Sequence, residues 1–280
     1  MIIVDLTQVL IASLMASTRG GQEPISEDLV RHIALKSLAM YRKKYKNKYG
    51  ELVLADDSYN VWRKDVYPFY KANRKKTRDK DDKDWNQIFD CITVVREELK
   101  YNFPYKYICI SKCEADDIIG TLCEKYGDTE NIMIISGDKD FQQLHNDNVE
   151  QWSPNLNKMI NCPEPEMFLK EHILKGDKSD GVPNILSNDD CLDLGIRQTP
   201  LRKPVLEKYL RISIEKDDKY YRNYLRNQTL IDLSFIPDDI ESAILEEYAE
   251  TAPVLGNVLS YLQKHRLNQL IDQAGDFAIL

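Results

Sequence analysis

The chain has 280 residues, 42% of them hydrophobic, and a formal net charge of −8. This length allows one large domain or a main domain with an appendage, and the composition is ordinary for a globular protein. The negative balance argues against a general nucleic-acid coat protein. No apolar run reaches the roughly 20 residues that span a bilayer, and Asp5 interrupts the apolar start, unlike a secretory signal.

The six cysteines have no zinc-binding spacing, and the four histidines form no metal-binding pattern with them. Reduced thiols in a reducing compartment are the default interpretation of such cysteines. We therefore expect a cytoplasmic protein with no membrane association.

Strand and helix patterns alternate through the first part of the chain. Short apolar runs predict buried strands, and segments with helical periodicity lie between them. Ser26 is the expected N-cap of the second helix, and Gly50 its end. In chain order we predict a strand at 1–5, helices at 7–17 and 27–49, a strand at 51–56, a helix at 85–100, a strand at 106–111, a helix from Glu114, a strand at 131–136, and a hairpin at 150–153 and 158–161. This alternation predicts an α/β fold with a mostly parallel central sheet flanked by helices and strand 1–5 at its centre.

From residue 163 onward the pattern is helical. Helices are predicted at 164–175, 203–211, 217–231, 238–249 and 253–265. We therefore predict an α/β domain at 1–162 and a smaller helical C-terminal subdomain at 163–280.

Segment 58–83 differs from the rest of the chain in charge. Between Trp62 and Lys80 it contains eight basic and two acidic residues, with aromatic residues among them. It lacks clear periodicity, so its composition predicts a mobile, solvated segment. A basic strip of this kind suits the backbone of a nucleic acid.

Acidic residues follow three separate predicted strands, open one predicted helix and recur three residues apart in a loop. The carboxyl ends of parallel strands meet at one edge of a sheet, so these side chains are expected to converge. A single Asp after a strand is more often a turn or cap residue, but capping does not predict this recurrence. The nine residues are Asp5, Asp56, Glu114, Asp116, Asp117, Asp138, Asp140, Asp177 and Asp180.

Such a cluster requires protons or cations. Two like charges about 4 Å apart repel by roughly 4 kcal/mol at an effective dielectric constant near 20. Oxygen ligands without His or Cys favour Mg²⁺ or Mn²⁺ over zinc. The sequence therefore predicts a divalent-metal site beside a basic strip, as a phosphodiester-cutting enzyme needs.

The order of these motifs resembles the flap endonuclease/5′ nuclease family, which includes the 5′ nuclease domains of bacterial DNA polymerases. The likeness spans nearly the whole chain and rests on the strand-end residues Asp5 and Asp56, on 114–117, 136–144 and 176–183. It implies a PIN/5′ nuclease-like fold and a metal-dependent 5′ to 3′ exonuclease and flap endonuclease. Such an enzyme removes RNA primers, a ribonuclease H activity, and adjacent DNA during lagging-strand replication.

The resemblance also implies roles for individual residues. Segment 58–83 corresponds to the arch through which single-stranded 5′ ends pass, with Arg63 and Lys71 at the scissile phosphate and Tyr70 stacking on a base. Asp116, Asp138, Arg63 and Lys71 are then catalytic, and Arg63, Tyr70, Lys71, Arg74, Lys75, Lys76 and Arg78 bind nucleic acid.

Two Mg²⁺ ions are implied, with Mn²⁺ able to substitute. The first would be held by Asp5, Asp56, Glu114, Asp116 and Asp138. The second would lie near Asp140, Asp177 and Asp180, with Asp117 within reach. The implied partners are DNA with a 5′ flap or fork and RNA:DNA hybrids, with a single-strand-binding protein and a sliding clamp as further candidates for a monomeric enzyme.

Two alternatives remain open at this point. A PIN-type ribonuclease would lack the long basic segment and the helical C-terminal part. A catalytically silent branched-DNA-binding scaffold would gain nothing from so many carboxylates beside DNA. After Gly181 the chain also matches the family's duplex-binding helix–three-turn–helix motif only in part, because 188–193 is acidic.

Overall fold

A six-stranded sheet forms the centre of the molecule. The computed structural model describes residues 1–18, 25–81, 83–252 and 258–277. The strands are β1 (Ile2–Asp5), β2 (Leu52–Ala55), β3 (Lys106–Ile108), β4 (Ile132–Ile135), β5 (Val149–Ser153) and β6 (Lys158–Ile160). All neighbouring strands are parallel except β5 and β6, which form an antiparallel hairpin at one edge. The predicted α/β sheet, with its first strand in the interior, is confirmed.

The strand order β3-β2-β1-β4-β5-β6 places a topological switch point between β1 and β4. In open α/β sheets, ligands bind outside the carboxyl ends of the strands at such a point, because the connections leave in opposite directions and open a crevice. In register, Asp5 pairs with Ala55, and Val4 with Ile135. The residues that follow β1, β2 and β4 therefore reach the same edge.

The helices agree with the predicted segments at most positions. They are α1 (Leu6–Thr18), α2 (Glu27–Tyr49), α3 (Trp62–Val66), α4 (Asn73–Arg78), α5 (Trp85–Asn102), α6 (Ala115–Tyr126), α7 (Pro165–Lys175), α8 (Lys203–Arg211), α9 (Tyr221–Ile231), α10 (Asp238–Glu250), α11 (Val258–Lys264), α12 (Asn268–Ile271) and α13 (Ala274–Phe277). The Ser26 hydroxyl caps α2 by accepting from Leu29 N, and Gly50, with φ +88°, ends it. The first residues of the predicted helix at 253–265 lie outside the described part of the chain. The described part of that segment forms α11.

The apolar faces of the sheet are covered by helices from both ends of the chain. On one face, α1, α2 and α5 pack with Leu262 and Phe277 of the C-terminal helices. On the other face, Ile118 and Ile119 of α6 pack with Ile244 of α10. A separate small cluster lies between α7 and α8. Helices α10–α13 thus complete the sheet's own core. No helix among the described residues is long and apolar enough to cross a membrane.

The basic segment is more ordered than its composition predicts. It forms α3 and α4, and Trp62, Tyr67 and Tyr70 are buried. Tyr67 and Tyr70 share a hydrophobic cluster with Ile173 of α7. The prediction of a solvated segment was wrong here, because aromatic residues between the cations supply enough apolar surface to anchor the backbone.

Candidate active site

A deep open cavity of about 1150 Å³ lies at the switch point. Four carboxylates line it, one from the end of each of β1, β2 and β4 and one from the first turn of α6. We call these the pocket carboxylates: Asp5, Asp57, Asp116 and Asp138. Lys71 and Arg74 line the same cavity, which extends along α1 and α2. The predicted convergence of acids from separate strands is present in the structure.

The pocket carboxylates are poorly neutralised. Burial, together with Asp57 and Asp138, raises the pKa of Asp5 to about 8. Burial and Asp140 raise the pKa of Asp138 to about 6, and burial raises the pKa of Asp116 well above its usual value. Carboxyl groups in this condition bind either protons or cations. The cavity therefore favours a positively charged ligand.

Asp56 and Asp57 are adjacent in sequence, but only Asp57 lines the cavity. Asp56 is fully buried and accepts hydrogen bonds from Arg96 Nε at 2.5 Å, from Thr7 at 3.1 Å and from the Tyr107 hydroxyl. Asp57 instead accepts from Ala115 N at 2.9 Å and lines the cavity. Asp56 was the predicted ligand of this pair, and Asp57 was not predicted. The sequence signal that could have distinguished the two residues is the alternation of side chains along a strand, which turns neighbouring residues to opposite sides.

Glu114 and Asp117 are likewise turned away from the cavity. Arg63 Nη1 lies 2.9 Å from Glu114 Oε2 and 2.8 Å from Asp117 Oδ1, and Lys71 Nζ lies 2.5 Å from Glu114 Oε1. Burial alone would raise the pKa of Glu114, but Lys71 and Arg63 lower it below its usual range. Asp180 pairs with Arg74 at 2.6 Å and with Lys71 at 3.5 Å. We call Glu114, Asp117, Asp180 and Asp56 the paired carboxylates.

The structure also relocates two residues for which the resemblance implied contact with nucleic acid. Arg63 is 1% exposed and holds Glu114 and Asp117 together, while its Nε donates to Leu230 O. Tyr70 is 3% exposed, and its hydroxyl oxygen lies 3.0 Å from Glu114 Oε2 and 3.1 Å from Asp180 Oδ2, so its single proton donates to one of the two carboxylates at a time. Both side chains are enclosed because buried carboxylates need hydrogen-bonding partners. In this arrangement Arg63 and Tyr70 are buried beside the cavity and hold the paired carboxylates in place.

Lys71 is held at the cavity by its backbone. Its φ of +57° lies in the left-handed region, which a residue with a side chain seldom adopts. Its N–H donates to Asp180 O at 2.7 Å. At Gly181, with φ +75°, a Cβ would approach Phe69 O to 2.7 Å, so only glycine permits this close contact. The loop after α7 thus positions the basic segment.

The remaining cations of the basic segment lie further out. Lys75 and Lys76 are exposed on α4, and Lys76 pairs with Asp193 at 2.6 Å. The Arg78 guanidinium lies 5.3 Å from the centre of the Phe89 ring. These residues form a basic surface beyond the cavity.

A second group of potential ligands joins Asp140 and Asp177 to His172. Nε2 of His172 lies 3.1 Å from Asp140 Oδ1 and 3.3 Å from Asp177 Oδ2. Burial opposes the charge on His172, but the two carboxylates raise its pKa to about 9. The Asp177 pKa lies far below its usual value, because His172, Lys139 and Ser179 outweigh its burial.

This second group differs from the one expected. Asp117 and Asp180, placed near it by the sequence analysis, are engaged by Arg63 and Arg74 instead. His172, which was not among the predicted site residues, lies in this group with Asp140 and Asp177. It lies five residues before Asp177, a spacing that carries no recognisable metal-site pattern.

The fold and cavity define a nuclease of the 5′ to 3′ exonuclease class. The family model described as "5'-3' exonuclease, N-terminal resolvase-like domain" matches residues 11–172, more than half of the chain. The chain therefore belongs to this family of phosphodiester hydrolases. A second model, "T4 RNase H, C terminal", matches residues 163–277.

Among individual relatives, ribonuclease H of Enterobacteria phage T4 is 33% identical over 290 residues, covering 98% of this chain and 95% of that protein. Flap endonuclease Xni of Shewanella sp. (strain MR-4) is 31% identical, with 44% of this chain and 48% of that protein covered. A solved bacteriophage T5 flap endonuclease, in complex with DNA and metal ions, has a TM-score of 0.61 at 18% identity, covering 89% of this chain and 99% of that chain. At that identity the likeness concerns the fold. The resemblance to the flap endonuclease/5′ nuclease family is confirmed.

Proposed function

We propose that this chain is a divalent-metal-dependent 5′ to 3′ exonuclease and flap endonuclease that removes RNA primers and adjacent DNA from lagging-strand fragments. The observation that carries the proposal is the meeting of Asp5, Asp57, Asp116 and Asp138 with Lys71 and Arg74 in one cavity. The 33% identity with phage T4 ribonuclease H supports RNA:DNA hybrids as substrates beside flapped DNA.

The residues at this edge fit divalent cations. The four pocket carboxylates offer hard oxygen donors, and burial together with neighbouring carboxylates raises the pKa values of Asp5, Asp116 and Asp138, which a bound cation would lower again. Oxygen-rich sites of this kind suit Mg²⁺ and Mn²⁺. We assign one ion to the pocket carboxylates and a second to the neighbouring group that includes Asp140 and Asp177.

Each group of side chains has its own part in cleavage. When bound, the cations stabilise charge on the phosphate and lower the pKa of the attacking water. Lys71 and Arg74, which line the same cavity as Asp116, hold the phosphate by charge. Arg63, Tyr70 and Glu114 fix the position of Lys71. The exposed cations of α4 attract the nucleic-acid backbone towards the cavity.

A cleavage assay tests the proposal. A flapped DNA and an RNA:DNA hybrid, each 5′-labelled, are incubated with the protein in Mg²⁺, in Mn²⁺ and in chelator. We expect short 5′ products only when the metal is present. Asp116→Asn removes one pocket charge with little change in shape, and should abolish cleavage while retaining substrate binding, measured by fluorescence anisotropy.

The same assay separates this proposal from the alternatives. Binding of branched DNA without cleavage in any metal would favour the silent scaffold. Cleavage of single-stranded RNA without preference for a 5′ end would favour a PIN-type ribonuclease. We also propose that the enzyme is a monomer recruited by a single-strand-binding protein or a sliding clamp. Adding that partner should then make cleavage of a fork faster.

A further inference from the structure

His172 is a buried histidine that faces two carboxylates. Its side chain is 7% exposed, on the inner side of α7, and its ring is nearly parallel to that of Phe168. Nε2 lies 3.1 Å from Asp140 Oδ1 and 3.3 Å from Asp177 Oδ2. One ligand atom from each of the three residues falls within 4.8 Å of the others. Three donors from separate parts of the chain thus surround one point.

Two of these donor atoms lack a properly directed hydrogen bond. Nε2 of His172 and Oδ1 of Asp140 are both buried and, despite their closeness, neither has a partner with hydrogen-bond geometry among the described residues. Buried polar atoms in native proteins are nearly always satisfied. A metal ion at their common focus would bind both atoms at once, taking the place of the Nε2 proton of His172, which would be released to solvent.

We propose that His172 is a metal ligand, and that the site formed by Asp140, His172 and Asp177 prefers Mn²⁺, Co²⁺ or Zn²⁺ to Mg²⁺. The inference rests on the proposed function for the presence of divalent cations at this edge, and adds a nitrogen ligand and a metal preference. Imidazole suits the borderline transition metals, whereas Mg²⁺ prefers an octahedron of oxygens. The pocket carboxylates, with oxygen donors alone, remain the site for Mg²⁺.

The position of the three residues indicates what the ion would join. Asp140 begins the 3₁₀ helix Asp140–Leu144 after β4, whereas His172 and Asp177 belong to α7 and the loop after it. That loop continues to Asp180, whose backbone carbonyl accepts from Lys71 N. A metal here ties the sheet to α7 and, through the loop, steadies Lys71 beside the cavity.

Lys139 competes for the same position. Its Nζ lies 2.8 Å from Asp177 Oδ2, and its side chain is 49% exposed, so it can swing into solvent when a cation arrives. Removing this ammonium leaves Asp177 free for a metal without opening a cavity in the core. Lys139→Ala should therefore tighten metal binding, the opposite of the effect of a ligand mutation.

The test is pulsed electron paramagnetic resonance of the metal-free full chain after addition of Mn²⁺. Coordinated imidazole nitrogen gives a ¹⁴N modulation of the Mn²⁺ echo, which carboxylates do not. We expect this modulation in the unmutated chain and its loss in His172→Asn, with Mn²⁺ affinity lowered at least about tenfold. His145→Asn is the control, because His145 contacts Gln151 and no carboxylate of the site.

Lys139→Ala keeps the test decisive if His172→Asn does not fold. This variant should retain the ¹⁴N modulation and bind Mn²⁺ about two- to fivefold more tightly. Absence of ¹⁴N modulation in the unmutated chain, or its persistence in a folded His172→Asn, would overturn the inference. Mg²⁺-dependent cleavage by the unmutated chain is measured in parallel, so the proposed function stands or fails on a separate readout.

Discussion

The pocket carboxylates and the paired carboxylates are the same kind of residue in opposite situations. Asp57 and Asp116 face the cavity, whereas their sequence neighbours Asp56 and Asp117 face Arg96 and Arg63. Around the base of the basic segment, three acids meet three bases: Glu114, Asp117 and Asp180 with Arg63, Lys71 and Arg74. Of these three bases, only Lys71 and Arg74 line the cavity together with the pocket carboxylates. The paired carboxylates thus hold neighbouring segments of the chain together, whereas the pocket carboxylates are left to bind a ligand.

Arg63 offers the sharpest way to break the paired set. Arg63→Met leaves Glu114 and Asp117 buried without their shared cation, and removing one partner of a buried pair costs about 3–5 kcal/mol. Urea unfolding should show a loss of this size. Lys75→Met, on the exposed side of α4, should change stability by no more than about 0.5 kcal/mol. A stable Arg63→Met that only loses cleavage would instead place Arg63 at the phosphate.

Asp56 and Asp57 place a paired carboxylate and a pocket carboxylate next to each other in the sequence, so the two kinds can be compared directly. Asp57→Asn should lower kcat on a flap by about 10²–10³-fold and leave stability nearly unchanged, because it removes charge from the cavity alone. Asp56→Asn weakens the contacts to Arg96 and Tyr107 and should lower the free energy of unfolding by about 1–3 kcal/mol. Cleavage per folded molecule should survive in this variant. The reverse pattern would restore Asp56 as the ligand.

The unpaired charge should also appear in the pH dependence of stability. The pKa values of Asp5, about 8, and Asp138, about 6, exceed the 3.8 of an unperturbed Asp. Between these values the folded protein holds protons that the unfolded chain has released, so stability falls as pH rises from about 4 through 8. Thermal midpoints in chelator should decline over this range, and less steeply in Asp5→Asn. Equal slopes for the two proteins would show that Asp5 has an ordinary pKa.

The smallest effect is expected from the outer basic surface. Lys75→Ala should weaken DNA binding only modestly and equally for all sequences. The slope of log Kd against log salt concentration should fall by about 0.7 if Lys75 contacts one phosphate of a single strand. Lys264→Ala on α11, an exposed lysine outside the basic segment, serves as the control. An unchanged slope for Lys75→Ala would remove α4 from the binding surface.

Much of the site could be read from the sequence because its signals are local. Buried strands appear as apolar runs, and acids at the end of such a run or within a few residues of it lie at the sheet edge, as Asp5 and Asp138 do. The cap at Ser26 and the end at Gly50 are local signals as well. The partners of Arg63 are not local, since Glu114 and Leu230 are 51 and 167 residues away along the chain. The composition of the basic segment therefore could not reveal that Arg63 is buried.

The sequence by itself determined the alternating α/β architecture, the gathering of acids at one edge and the membership of a nuclease family, because each depends on apolar periodicity or on the order of motifs. Only the tertiary structure decided which acid of each adjacent pair faces the cavity, that Arg63 and Tyr70 lie beneath it, and that His172 joins Asp140 and Asp177. Those outcomes depend on the direction of single side chains and on partners brought together by folding, where burial forces each charge to find a counter-charge.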